Sequence, residues 1–174
     1  MSAQPLFQRP GFVLSLIVTV GMVATIGAAW GFQLIGGYLP CELCLWQRQP
    51  YYWGIPVGLA AVLASGLQAP SWVIRLLLAI VLLLMVAGAA TGVYHAGVEW
   101  QFWEGPAACS GNNTGVTTDA SQLLNDLNAL KGPSCGDARW RFLGLSFAGW
   151  NVILSLILAG IAYAGLRRKP DGAQ

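Results

Sequence analysis

The chain has 174 residues, of which 56% are apolar and only 9% charged, and its formal net charge is +2. A soluble domain is about 25% charged, so the composition leaves no room for a separate soluble unit. The small positive balance carries no sign of a nucleic-acid partner either.

In chain order, four stretches lack any acid, lysine, arginine or histidine: Gly11 to Ile35, Tyr51 to Gln68, Leu76 to Tyr94, and Phe142 to Leu166. A bilayer core needs about 20 apolar residues per helix. Without water to satisfy backbone groups, each stretch must be a helix rather than an open strand. The predicted fold is therefore all-α: one membrane four-helix bundle over residues 1–174. Its spans are expected at about 12–34, 48–67, 72–94 and 147–166, with outward loops at about 35–47 and 95–146. The first stretch is too long for a secretory h-region of about 7–15 residues, and no polar region precedes a cut near Ala28 or Ala29, so it reads as an uncut helix.

Basic residues set the orientation. Arg9, Arg75, Arg167, Arg168 and Lys169 fall on the side holding both termini. Arg48, Lys131, Arg139 and Arg141 are spread over the longer connections of the other side, among most of the acids. Basic residues close to the membrane favour the cytoplasm, which puts both termini inside and both long connections outside.

The connections have their own character. "GGYLP" ends the first helix. The second is expected to begin between Cys44 and Tyr51, because Pro50 suits a helix start, where its missing N–H has no partner to lose. The third ends near Val93 or a turn later. In the long connection, Trp100, Phe102 and Trp103 suit the headgroup level. A short amphipathic helix capped at Thr117, Thr118 or Asp119 is expected there, with Leu123, Leu124, Leu127 and Leu130 on one face. It would lie on the outer leaflet or pack on the helix tops.

All four cysteines fall on the outer side, where disulfides form. Three connectivities are possible; the natural pairs are Cys41 with Cys44 and Cys109 with Cys135. A bridge over two residues constrains almost nothing, whereas C-x-x-C is the spacing of redox-active dithiols with lowered thiol pKa. Arg48 would lie one turn beyond Cys44 if the helix has begun by then. Its permanent charge and the helix N-terminus would both favour a Cys44 thiolate. A bridge closing about 25 residues between Cys109 and Cys135 is worth about 3.5 kcal/mol from loop-closure entropy. That gain lowers its reduction potential by about 75 mV, so as a rigid staple it is the poorer oxidant. A zinc site usually pairs two C-x-x-C units, and the second is absent. His95, the only histidine, falls at the outer end of helix three, near the level of Arg48. Deep polar groups of the kind transport requires are few: hydroxyls such as Ser15, Thr19 and Thr91, and Asn151.

Set on four helical runs, the segments "PCELCLWQRQPYY", "GVYHAGVEWQFWEGPAAC" and "CGDARWRFLGLSFAGWN" resemble the disulfide bond formation protein B family, DsbB, over nearly the whole chain. The resemblance implies a protein-disulfide:quinone oxidoreductase of the bacterial inner membrane. It would reoxidise a periplasmic DsbA-like thiol oxidase and pass the electrons to ubiquinone or menaquinone. By the same resemblance, the partner attacks the Cys109–Cys135 disulfide at Cys109. Cys135 then attacks Cys41, and Cys44 leaves as the thiolate that donates to quinone. Arg48 stabilises that thiolate and helps hold the quinone, with His95 nearby. The polar stretch between Gly111 and Gly132 departs from a generic pattern, which leaves open a DsbI-like paralogue with a dedicated partner. Alternatives are a disulfide-stapled adaptor without turnover and an enzyme of the vitamin K epoxide reductase type. The adaptor is separated from the enzyme readings by whether Cys44→Ser stops quinone reduction.

Overall fold

The structure, a computed structural model, describes residues 9–106, 109, 135, 136, 138 and 140–168. Four long helices follow one another: α1 Pro10–Leu34, α2 Glu42–Gly66, α3 Ser71–Glu99 and α4 Phe147–Arg167. A small antiparallel hairpin, β1 Arg141–Phe142 and β2 Leu145–Ser146, precedes α4. The short helix expected over Thr117 to Leu130 lies outside the described residues, as do Lys131, Arg139 and Lys169.

Helices α1, α3 and α4 are long and apolar enough to cross a membrane. Helix α2 has 25 residues but falls short in composition, since its first turns carry Glu42, Gln47, Arg48 and Gln49. The outward faces are apolar: Ile17, Val20 and Val23 of α1, Leu59 and Leu63 of α2, Leu76 and Leu83 of α3, and Leu156 and Ile157 of α4 are all exposed. Helices that are hydrophobic all round belong in lipid.

Inside, Val18 and Met22 of α1, Tyr51 of α2, Val81 and Met85 of α3, and Leu158, Ala159 and Ala162 of α4 form the core. Lipid gives no hydrophobic drive for helices to associate, so close packing and polar ties do that work. At Gly92 a Cβ would lie 2.7 Å from Val152 and 3.2 Å from Asn151, so α3 and α4 meet there only because the residue is glycine. The Tyr51 hydroxyl donates to Asn151 Oδ1 at 3.0 Å, and its single proton being used, it accepts from Ser155 Oγ at 2.7 Å. Asn151 Nδ2 in turn donates to the Gly88 carbonyl at 3.3 Å. Three helices are thus pinned at one level. In α1, Ser15, Thr19 and Thr25 return their hydroxyl protons to carbonyls one turn back, at 2.7–2.9 Å, which keeps these polar groups satisfied without water.

Two boundaries differ from expectation, and both matter for the site. Helix α2 starts at Glu42, because Cys41 is its N-cap and its sulfur accepts the Cys44 N–H at 3.3 Å. Pro50 therefore sits inside the helix rather than at its start; it removes one helix hydrogen bond and packs beside Gly88 of α3. Helix α3 continues to Glu99, a little beyond the expected end at Val93 or a turn later, and its last turn carries Val98 and Glu99 beside His95. The hairpin lies where only loop was expected. Leu143 and Gly144, at φ 52° and 82°, make the positive-φ turn that suits a two-residue hairpin, and Ser146 then caps α4 by accepting the Gly149 N–H at 3.3 Å.

Candidate functional site

The chemistry gathers where α2 begins and α3 ends. Capping by Cys41 directs its sulfur over the first turn of α2, and Cys44 stands on that turn. The Cys41 thiol donates to the Cys44 sulfur at 2.8 Å. The two sulfurs sit unbonded but in direct contact, Cys41 buried and Cys44 partly so, the proximity a C-x-x-C pair needs to open and close its bridge. Cys109 and Cys135 are joined as a disulfide with Cα atoms 5.0 Å apart. Both are buried, and they pack with Cys41, Leu43 and Val98 in one apolar cluster that Cys44 borders.

The two thiols have opposite acidities. The Cys41 hydrogen bond is the largest influence holding Cys44 below the ordinary thiol range; a backbone hydrogen bond at Cys41 and the charge of Arg48 add to it, while burial and Glu99 oppose. Cys41 is pushed far above that range, first by the same hydrogen bond and then by burial. The sequence casts Arg48 as the principal stabiliser of Cys44; in the structure Cys41 comes first. The Arg48 guanidinium is engaged with α1: it donates to Gln33 Oε1 at 2.7 Å and to the Ala29 carbonyl at 3.5 Å, and lies 5.7 Å over the Trp30 ring.

His95 is buried at the inner wall. Gln47 Nε2 donates to its Nδ1 at 2.6 Å, which leaves the imidazole proton on Nε2. That Nε2 faces two groups, the Cys41 sulfur at 3.7 Å and Glu99 Oε1 at 3.8 Å. The reactive atoms of Cys41, His95 and Cys135 all lie within 4.8 Å of one another. The disulfide sulfur of one pair is thus brought next to the dithiol of the other.

Beside these sulfurs opens a cavity of about 390 Å³. The mouths of α2 and α3 bring Cys41, Cys44, Gln47, Arg48, His95 and Glu99 to its lining; α1, α4 and the hairpin supply mostly apolar and aromatic walls, with Thr25 and Asn151 among them. Trp140 stacks on Phe147 at 4.7 Å and on Phe142 at 5.8 Å, and Phe32 meets Phe147 at 5.0 Å. Small-molecule sites are commonly about 300–1,000 Å³, mostly apolar, with a few placed polar groups.

All six residues singled out from the sequence lie in or against this site: Cys41, Cys44, Arg48 and His95 line the cavity, and Cys109 with Cys135 packs behind Cys41. Gln47 and Glu99 went unrecognised. Glu99 follows His95 by four positions, the spacing of one helix face, and that signal becomes readable once α3 extends past Tyr94. The aromatic roof had no signal of its own, since Phe32, Trp140 and Phe147 are brought together only by the tertiary fold.

A family model described as Disulfide bond formation protein DsbB matches residues 11–165. Disulfide bond formation protein B of Saccharophagus degradans is 32% identical over 157 residues, covering 88% of this chain and 92% of that one. The proteins of the same name from Idiomarina loihiensis and Nitrosomonas europaea are 28% and 27% identical, covering 87% of this chain in each case and 80% and 88% of theirs. With the match running from the first helix to the last, this chain belongs to the DsbB family of disulfide bond formation proteins.

Proposed function

We propose that the chain is a protein-disulfide:quinone oxidoreductase of the bacterial inner membrane, with four spanning helices, both termini cytoplasmic and the thiol site at the periplasmic face. Its substrate is the dithiol of a periplasmic DsbA-like thiol oxidase. A partner thiolate attacks Cys109, which first requires a local opening because Cys109 is buried. The released Cys135 thiolate attacks Cys41 of a closed Cys41–Cys44 bridge, and Cys44 departs as a thiolate. Exchange of this kind favours a low-pKa leaving thiol, and Cys44 is the member of the pair whose pKa is lowered.

The observation that carries the reading is one of contact: the Cys135 sulfur is within 4.8 Å of Cys41, whose partner Cys44 lines the cavity. The cavity fits a quinone head, with aromatic walls for the ring and Arg48 and His95 at the polar edge. When bound, quinone would supply a two-electron acceptor that also takes up two protons. The chain's own contribution is to hold Cys44 anionic, keep Cys41 next to both its exchange partners and exclude water with the aromatic roof.

The test is to mix the detergent-purified chain with a reduced thiol oxidase and ubiquinone or menaquinone, and to follow quinone absorbance. Wild type is expected to consume quinone; Cys44→Ser is expected to lose activity by about a hundredfold or more. No reduction of either quinone by wild type would remove the reading.

A further inference from the structure

We propose that Glu99 is a further residue of the electron-accepting site, giving a proton into the cavity as the Cys41–Cys44 bridge closes; this rests on the quinone reading above. Glu99 stands on the last turn of α3, and its side chain is only 5% exposed. One oxygen, Oε1, faces His95 Nε2 at 3.8 Å. The other, Oε2, is buried with no hydrogen-bond partner among the described residues, and Glu99 lines the cavity. Buried polar atoms are almost always paired, and those that are not mark a catalytic role or a group held by a ligand. A buried carboxyl in the cavity wall, with one oxygen beside a histidine and the other without a partner among the described residues, suits a proton donor.

The balance of the step calls for such a group. Closing the bridge forms one S–S bond from the Cys44 thiolate and the Cys41 thiol, releasing two electrons and one proton. An acceptor of the quinone class takes two electrons and two protons. The Cys41 thiol supplies one proton and the Glu99 carboxyl the other, and Glu99 then recovers its proton from the outer water. The titratable and charged groups that share the cavity wall with it are His95 on its own helix and Cys41, Cys44 and Arg48 from the mouth of α2; Tyr38 and Tyr51 are the phenols of the lining, and α1 and α4 present no charge to the cavity.

Glu99→Gln keeps the shape and removes the proton. Quinone affinity is expected to stay within about threefold of wild type, while reclosure of the bridge by quinone slows by roughly a hundredfold and loses its wild-type pH profile. Glu99→Asp is expected to recover much of the rate. An independent readout needs no quinone: the infrared spectrum of the chemically reduced chain should contain a protonated-carboxyl C=O band that Glu99→Gln lacks. A Glu99→Gln chain that recloses within about twofold of wild type with an unchanged pH profile overturns this inference alone, as does a reduced wild-type chain without that band. A wild type that reduces no quinone overturns the functional reading and this inference with it.

Discussion

Cys41 and Cys44 differ by one role each in a single turn of helix. Cys41 caps the helix and keeps its proton; Cys44 receives that proton's hydrogen bond and gives up its own. The sign of the pH dependence follows. The Cys44 anion persists below the ordinary thiol range and disappears only as the pH falls through its lowered pKa, whereas Cys41 stays a thiol well above that range. Ultraviolet titration of the reduced chain should show one thiolate formed early and one late. Cys41→Ala, which deletes the leading influence, should raise the pKa of Cys44 more than Arg48→Met does. The reverse order would return the principal role to the guanidinium. His95→Ala should leave the early thiolate in place, since the groups acting on Cys44 are Cys41, Arg48 and Glu99.

At the level of elements, the helices were legible because charge is absent from whole stretches of sequence, and the end of α2 at Gly66 follows the expected limit closely. Helix starts and stops at the site were not. The cap at Cys41 uses a sulfur, a poor capping group beside the usual Ser, Thr, Asp and Asn, so composition pointed to a later start. Pro50 pointed the same way, and only its packing beside Gly88 explains why the helix tolerates it. For the site, the cysteines, Arg48 and His95 stood out by residue type. Gln47 and Glu99 did not, because a glutamine or glutamate near a membrane edge ordinarily means solvent. Two substitutions test the packing. Gly92→Val forces a methyl group against Val152 and Asn151, and should destabilise the chain by about 1–3 kcal/mol in a denaturation series. Tyr51→Phe unties α2 from α4 at Asn151 and Ser155 and should cost about 1–2 kcal/mol; an unchanged melting temperature in both would mean the bundle is not held at that level.

For the molecule as a whole, the two disulfide-capable pairs are unequal, and the inequality sets a direction. Cys109–Cys135 closes a long segment and is stabilised by that closure; Cys41–Cys44 closes almost none. On the proposed reading, the first holds its bridge more firmly and the second is the better oxidant, so electrons entering at Cys109 would settle on Cys41 and Cys44. The direct measurement starts from the fully oxidised chain without quinone, adds one equivalent of reduced thiol oxidase, and traps free thiols by alkylation for mass spectrometry. Label is expected on Cys41 and Cys44 with Cys109–Cys135 still bridged, and subsequent quinone should erase it. Label confined to Cys109 and Cys135, with the Cys41–Cys44 bridge untouched, would contradict the account.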